Sequence, residues 1–149
     1  MPEARPAGPF IDGYLAYLLA RASHLISGEF HEHLKAQRVP VTTWRVLASL
    51  VDGPRSAKQV ADIVLQKQPT VSKVLERMER QALIRRETNP SDRRSILVSL
   101  TPRGRKLAAP LTEAAKRHEA SVLEPFGAAN AETLVSVLQK LIDQHARPG

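Results

Sequence analysis

The strongest constraint on the fold is the short distance between two amphipathic helical patterns in the middle of the chain. The segment SAKQVADIVL predicts a helix capped by Ser56, with Val60, Ile63 and Val64 directed inward. A second pattern follows the short segment LQKQ, and its apolar stripe comprises Val71, Val74, Leu75, Met78 and Ala82. Two helices this close in sequence are typical of a helix-turn-helix.

The elements on either side of this pair give the predicted fold class, which is mainly α with a small β-hairpin. Two β-prone runs, LIRRET and SILVSL, joined by the polar segment NPSDRR, predict the hairpin. The remaining helices are expected over residues 11–37, from Thr42 or Thr43 to the segment DGP, from a Thr101 cap to about Leu123, and over residues 131–145. We expect the 149 residues to form a single domain, 1–149.

The net charge is confined to one part of the chain. Residues 66–106 contain 11 lysines and arginines and 4 acidic residues, which accounts for the whole formal charge of +7. The rest of the chain is neutral overall, with 11 basic and 11 acidic residues. A confined excess of positive charge indicates a surface that faces a polyanion, and double-stranded DNA is the partner that we expect.

The outward face of the second helix of the pair is the predicted DNA-reading surface. If its apolar stripe faces the core, the polar side chains near its start face solvent, where a recognition helix contacts base edges and phosphates in the major groove. Gln68 is suited to an adenine edge, Lys73 or Arg77 to guanine or phosphate, and Thr70 and Ser72 to phosphates. The predicted DNA-binding residues of this region are Lys67, Gln68, Thr70, Ser72, Lys73 and Arg77.

The hairpin carries the remaining predicted DNA contacts. A hairpin directly after a recognition helix is a wing, and Arg93 and Arg94 lie near its tip, where an arginine can enter a narrow minor groove. We expect Asp92 to hold Arg94 or to bond turn amides, rather than to read a base. Which of the two arginines enters the groove stays open.

The residues of this region resemble the MarR family of bacterial transcription regulators. The similarity is carried by ADIVLQKQPTVSKVLERMERQALIRR, NPSDRRSILVSLTPRGRKL and VTTWRVLASL. It implies a winged helix-turn-helix over residues 42–100 and a homodimer, a pair with itself, formed by dimerisation helices over 11–37 and 102–146. Ala82 departs from the family pattern, which usually has glycine between recognition helix and wing, and we interpret it as a turn without positive φ.

The resemblance also implies control by a small molecule. Family members typically leave DNA when a small aromatic acid binds between the dimerisation helices and the winged region, and the segment YLLARASHLISGEFH is similar to a subgroup that responds to hydroxycinnamates and aromatic acyl-CoA compounds. The chain is then a repressor that such an acid or its CoA thioester releases from a pseudo-palindromic operator. The candidate effector-binding residues are Tyr17, Arg21, His24, Phe30, Arg38, Trp44 and Arg45.

Other classes of function are less well supported. The chain has no cysteine, and His31 and His33 point about 200° apart on a helix, so no metal site and no cofactor are expected. No Walker loop or nucleophile elbow is present, which argues against an enzyme. No apolar run is long enough for a membrane span, and the segment MPEARPAGPF is expected to be a flexible arm of a cytoplasmic protein. The alternatives that stay open are a sequence-tolerant architectural nucleic-acid-binding protein and a metal-responsive regulator.

Overall fold

The computed structural model describes residues 8–146, and most of the expected N-terminal arm lies outside the described residues. Within these residues, six α-helices and three β-strands follow one another in the order α1–α2–β1–α3–α4–β2–β3–α5–α6. Their bounds are Leu15–Ala36 (α1), Val41–Leu50 (α2), Arg55–Ser56 (β1), Ala57–Val64 (α3), Gln68–Arg80 (α4), Ile84–Asn89 (β2), Asp92–Leu100 (β3), Pro102–Leu123 (α5) and Ala128–His145 (α6). The predicted fold class, mainly α with a small β element, is confirmed.

The chain divides into two compact units, one up to Thr112 and one from Glu113 onward. The core of the first unit lies between α2, α3, α4 and the sheet. Its most deeply buried side chains include Val46, Leu47, Leu50, Val60, Val64, Val71, Leu75, Met78, Ile84 and Val98. Because these side chains come from α2, α3, α4 and both strands of the hairpin, the same apolar core fixes the orientation of α4.

The sheet has a third strand that the sequence patterns did not predict. Strand β1 consists only of Arg55 and Ser56, which pair antiparallel with Val98 and Leu97 of β3. The strand order is β1–β3–β2, so the hairpin is joined to the helical core along β3. Arg55 also donates from Nε to the Ser49 carbonyl at 2.7 Å, which ties this edge to the end of α2.

The first two helices begin and end differently from the prediction. A 3₁₀ turn, Phe10–Gly13, precedes α1, which therefore begins at Leu15. Its C-terminal end is closed by a Schellman arrangement, in which Val39 donates to the Leu34 carbonyl and Arg38 has a positive φ of 58°. Helix α2 begins at Val41 after Pro40, so the predicted cap at Thr42 or Thr43 is wrong. Thr43 is instead buried inside the helix.

The turn between α4 and β2 corrects the interpretation of Ala82. This residue has a φ of 60°, because α4 also ends in a Schellman arrangement in which Leu83 donates to the Met78 carbonyl. The backbone needs the left-handed conformation there although the residue is not glycine. Ala82 is also exposed and lies beyond the helix, so its assignment to the apolar stripe of α4 was wrong.

Helix α5 begins in close contact with this turn. Thr101 caps the helix as predicted, because its Oγ1 accepts a hydrogen bond from the Gly104 amide at 3.0 Å. The same hydroxyl donates to the Ala82 carbonyl at 2.6 Å. A Cβ at Gly104 would overlap the Leu83 carbonyl, so only glycine fits at this crossing of α5 over the turn.

The second unit contains the end of α5, a 3₁₀ turn over Glu124–Phe126, and α6. Gly127 has a φ of 80° and precedes α6, which begins at Ala128, three residues before the predicted start. Several large apolar side chains of α6 are exposed, namely Leu134, Val135, Val137 and Ile142. Among residues 8–146, no helix is long and apolar enough to cross a membrane.

Candidate nucleic-acid interface

Helix α4 presents the predicted DNA-reading residues to solvent. Its four buried residues, Val71, Val74, Leu75 and Met78, are the ones that the apolar pattern predicted. This orientation leaves the opposite face exposed, and that face carries Lys67, Gln68, Thr70, Ser72, Lys73 and Arg77. Pro69 lies in the first turn, where its missing N–H costs no helical hydrogen bond.

The α3–α4 turn sets the direction of α4. Helix α3 has a capping box, in which the Gln59 amide donates to Ser56 Oγ at 3.1 Å and the Ser56 amide donates to Gln59 Oε1 at 2.9 Å. Leu65 ends the helix with a φ of 60°. Val60 and Val64 are buried as predicted, but Ile63 is exposed and Ala61 is buried instead, so the buried stripe of α3 is rotated toward Ala61.

Arg77 is exposed, and its guanidinium lies against α2. Its Nη2 atom donates to Thr43 Oγ1 over 3.4 Å, a long hydrogen bond. Thr43 itself is only 4% exposed, so the contact joins the solvent-facing side of α4 to the start of α2. This contact places Arg77 at the border of the exposed face of α4, next to α2. Lys73 lies one turn nearer the start of α4.

A bulge in the hairpin carries the two adjacent arginines. The strands pair regularly as far as Thr88 with Ile96, but the next pair joins Asn89 to Asp92. Residues 93–95 are therefore opposite no residue of β2 and form a bulge beside the turn. Arg93 and Arg94 are both exposed there, and among residues 8–146 neither guanidinium forms a hydrogen bond or an ion pair.

Two side chains stabilise the backbone of this tip. Asp92 Oδ1 accepts from the Arg94 amide at 3.1 Å, and Asn89 Oδ1 accepts from the Ser91 amide at 3.0 Å. Of the two roles expected for Asp92, it therefore bonds a turn amide. Because the aspartate holds the backbone of Arg94 and leaves its side chain unpaired, the tip has an ordered backbone and free cationic groups.

A bidentate contact that the sequence patterns did not reveal joins α4 to the hairpin. Glu79 Oε1 lies 3.1 Å from Arg86 Nη2, and Glu79 Oε2 accepts from the Arg86 amide at 3.1 Å. The side-chain hydrogen bond from Arg86, with its backbone hydrogen bond and positive charge, lowers the pKa of Glu79 below its ordinary value against a smaller opposing effect of desolvation. The contact fixes the hairpin relative to the last turn of α4.

The candidate effector residues are brought together only in part. Phe30 is buried and packs on Trp44, with ring centroids 5.3 Å apart, and it stacks on His33 at 5.5 Å. Arg45 is half-buried on α2, and Tyr17, Arg21 and His24 lie on the preceding part of α1. Arg38 is elsewhere, in a cleft that it lines with Arg103 and Thr43. Among residues 8–146, no group of three or more potential metal ligands is found.

Comparison with known proteins agrees with this geometry. The model of the MarR family matches residues 39–95, which include α2 to the hairpin tip. The MarR family transcriptional regulator SPO1453 from Silicibacter pomeroyi DSS-3 is 34% identical to this chain, with a TM-score of 0.81. The match covers 91% of this chain and 98% of SPO1453. A second MarR family regulator from Silicibacter pomeroyi is 25% identical, with a TM-score of 0.85 and coverage of 96% of this chain and 98% of that one.

A third solved structure is that of BpsR from Bordetella bronchiseptica, whose DNA binding is regulated by 6-hydroxynicotinic acid. It is 29% identical, with a TM-score of 0.72, and the match covers 85% of this chain and 97% of BpsR. Winged-helix architecture, near-complete coverage and 34% identity to SPO1453 together decide the family. The chain belongs to the MarR family of transcriptional regulators, which bind DNA and are not enzymes.

Proposed function

We propose that the chain acts as a homodimeric repressor that binds a pseudo-palindromic operator through α4 and the hairpin. The observation that carries this proposal is the bulge of the hairpin that follows α4, where the Arg93 and Arg94 guanidinium groups form no hydrogen bond or ion pair among residues 8–146. In this proposal α4 enters the major groove with Lys67, Gln68, Thr70, Ser72, Lys73 and Arg77. The hairpin is the wing, whose arginines enter the adjacent minor groove while Asp92 holds the backbone of Arg94.

The proposed dimer is formed by the helices at the two ends of the chain, residues 11–37 and 102–146. In support, α1 exposes several large apolar side chains, among them Leu15, Leu18 and Leu25, and α6 exposes Leu134 and Ile142. Apolar surface of this extent is favourably buried against another chain. A two-fold dimer would place its recognition helices about 34 Å apart, one turn of the DNA helix.

The proposed effector is a small aromatic acid or its CoA thioester, and its binding releases the operator. Two observations support this choice. The DNA binding of BpsR is regulated by an aromatic acid, 6-hydroxynicotinic acid. In this chain the Phe30–Trp44 contact supplies an apolar floor, and Arg45, the residue after Trp44 in α2, provides a cationic group. His24, Arg21 and Tyr17 follow toward the start of α1, Tyr17 about 20 Å from Phe30 along the helix. The effector would shift the distance between the two recognition helices.

A competition experiment tests DNA recognition. Duplexes are selected from a random pool with the full chain, and the affinity for the selected duplex is compared with that for bulk DNA at fixed salt concentration. A regulator is expected to prefer its operator by about 10³-fold or more. Equal affinity for any duplex would instead indicate a sequence-tolerant architectural protein and would contradict the proposal.

Thermal unfolding tests the effector class. Aromatic acids and their CoA thioesters are screened for an increase in Tm, because a ligand that binds only the folded state must stabilise it. The compound that raises the Tm is then added to the protein–operator complex, where release is expected. Trp44→Phe retains the apolar floor and Trp44→Ala removes it, so only the second variant should lose the Tm increase. A compound that binds and leaves the operator occupied would contradict the proposed regulation.

A further inference from the structure

A cleft of about 270 Å³ lies between the start of α2, the end of α4 and the start of α5, within the first compact unit. Its polar lining includes Arg38, Arg103 and Thr43, and its apolar lining includes Val39 and Leu83. None of its lining residues is acidic. The volume is slightly below the roughly 300–1,000 Å³ of sites for drug-sized ligands, so the cleft suits a small group.

Both arginines occupy positions where the local structure disfavours an arginine. Arg38 has a φ of 58°, a left-handed conformation that favours glycine and costs other residues roughly 1 kcal/mol or more. Arg103 lies in the first turn of α5, a turn without acidic residues, where the helix dipole disfavours a cation. Two independent unfavourable placements converge on one cleft, which indicates that the guanidinium groups serve a purpose other than stability.

The arginines have no anionic partner in the part of the chain that the structure describes. Among residues 8–146, neither the Arg38 nor the Arg103 guanidinium forms a hydrogen bond or an ion pair. The Thr43 hydroxyl is buried and accepts from Arg77, so its hydrogen is still available to an acceptor in the cleft. The available side-chain donors are therefore two guanidinium groups, the Thr43 hydroxyl and the amide of Gln81.

We propose that this Arg38–Arg103 cleft is an oxyanion site that takes a phosphate group. Guanidinium groups bind phosphate oxygens through paired, charge-assisted hydrogen bonds, and the Thr43 hydroxyl supplies a further donor. The phosphate comes either from the DNA backbone or from a free phosphate compound. The site shares no residue with the Phe30–Trp44 contact, and it is independent of the aromatic effector proposed above.

A bound phosphate would contact three elements whose relative positions matter for DNA binding. Arg38 precedes α2, Thr43 lies in α2 and bonds Arg77 of α4, and Arg103 lies at the start of α5. A phosphate held between them would join the recognition helix to α5 through α2. An occupied cleft is therefore expected to stiffen this junction and raise the stability of the first unit.

The first experiment uses inorganic phosphate as the probe and the full chain as the protein. The Tm is measured in sodium phosphate and in sodium chloride at equal ionic strength, for the wild type, Arg38→Gly, Arg103→Gln and the control Arg105→Gln. Arg38→Gly removes the guanidinium at a position where glycine suits the backbone, so it should fold well. We expect phosphate to raise the Tm of the wild type and of the control. In the two cleft variants the Kd for phosphate should be higher by about tenfold or more.

The second experiment tests the DNA backbone as the source of the phosphate. Affinity for a random-sequence duplex is measured against salt concentration for the same cleft variants and for Arg117→Gln. Arg117 is an exposed residue of α5 and lies outside the positively charged residues 66–106. If a backbone phosphate occupies the cleft, the plot of log K against log salt becomes shallower in each cleft variant, its slope decreasing in magnitude by about one. The slope is unchanged in Arg117→Gln.

The two experiments distinguish the sources. A response to inorganic phosphate that the cleft variants lose, with an unchanged salt slope, supports a free phosphate compound as the ligand. A reduced salt slope supports the DNA backbone. If the wild type and both cleft variants behave alike in both experiments, the proposal is overturned. The phosphate experiment contains no DNA, so its result does not depend on the proposed function.

Discussion

Glu79 and Arg86 join the recognition helix to the wing through two hydrogen bonds of 3.1 Å, one to the guanidinium and one to the backbone amide of the same arginine. Glu79 is in the last turn of α4 and Arg86 is in β2. The two side chains are only partly exposed, at 40% and 27%. Their contact sets the angle between the two elements that are proposed to enter neighbouring grooves of DNA, so the carboxylate has a positioning role.

Replacing Glu79 by glutamine should loosen the wing with a small loss of stability. The charge-assisted bond to Arg86 is lost, at a cost of about 0.2–1 kcal/mol for a partly exposed pair. Amide hydrogen exchange of β2 should become faster. The loss of binding free energy for a selected operator should exceed the loss of unfolding free energy. Glu76→Gln is the matched control, because Glu76 contacts Arg80 within α4 at 3.9 Å and does not touch the wing. Equal effects of the two variants would contradict the positioning role.

The same contact predicts a dependence on pH. The pKa of Glu79 in the folded chain is lowered, so the stability that its carboxylate contributes is complete above the ordinary value of 4.5. This contribution is lost as the pH falls below 4.5 and through the lower pKa of the folded state. The difference in unfolding free energy between the wild type and Glu79→Gln, measured by denaturant titration, should therefore be constant near neutral pH and shrink in acid. A difference that grows in acid would contradict this assignment.

Replacing Ala82 by glycine should stabilise the chain. Ala82 has a φ of 60° at the end of α4, and glycine adopts this conformation without the steric cost of a Cβ. The expected gain is up to about 1 kcal/mol after the greater flexibility of glycine in the unfolded chain is counted. The control is Ala20→Gly, at an exposed position inside α1, where glycine should destabilise by about 0.5–1 kcal/mol. A loss of stability in Ala82→Gly would contradict the observed backbone conformation.

Replacing Gly104 by alanine should strongly destabilise the first unit. The added Cβ would overlap the backbone carbonyl of Leu83 and approach Leu100 Cδ2 at 3.3 Å, so α5 would have to move away from the turn that ends α4. The expected cost is at least about 1–3 kcal/mol, as for other overpacked sites. Gly28→Ala in α1 is the control, because nothing lies within 4 Å of its added Cβ and alanine favours the helix. Equal stability of the wild type and Gly104→Ala would show that this crossing is loose.

Features that depend on a local pattern could be predicted from the sequence, whereas contacts between distant residues could not. The stripe of Val71, Val74, Leu75 and Met78 was predicted correctly, because helical periodicity directly determines which side of α4 is buried. Strand β1 has only two residues, too few for any alternating pattern. The φ of Ala82 was mispredicted because the closure of the helix, and not the residue type, requires the left-handed turn.

The candidate site shows the same division. The exposure of Arg93 and Arg94 follows from the turn residues around them, but the bulge depends on the register of β2 and β3, which the sequence does not specify. The contact of Glu79 with Arg86 joins residues seven positions apart across a helix end and a strand start. Only the geometry of the turn at Ala82 brings them together. The cleft of Arg38 and Arg103 likewise depends on how α5 crosses the end of α4.

Binding of DNA by the hairpin tip is tested most directly by the DNA affinity of a variant in which Arg93 and Arg94 are both replaced by alanine. Its Kd for a selected operator and its Tm are measured beside those of the wild type and of Arg117→Ala, the control on α5. We expect the double variant to lose about 1–3 kcal/mol of binding free energy per arginine that contacts DNA, with an unchanged Tm, because the bulge lies outside the core. An unchanged Kd, or a chain that no longer folds, would contradict the assignment of this bulge as the DNA-contacting tip of the wing.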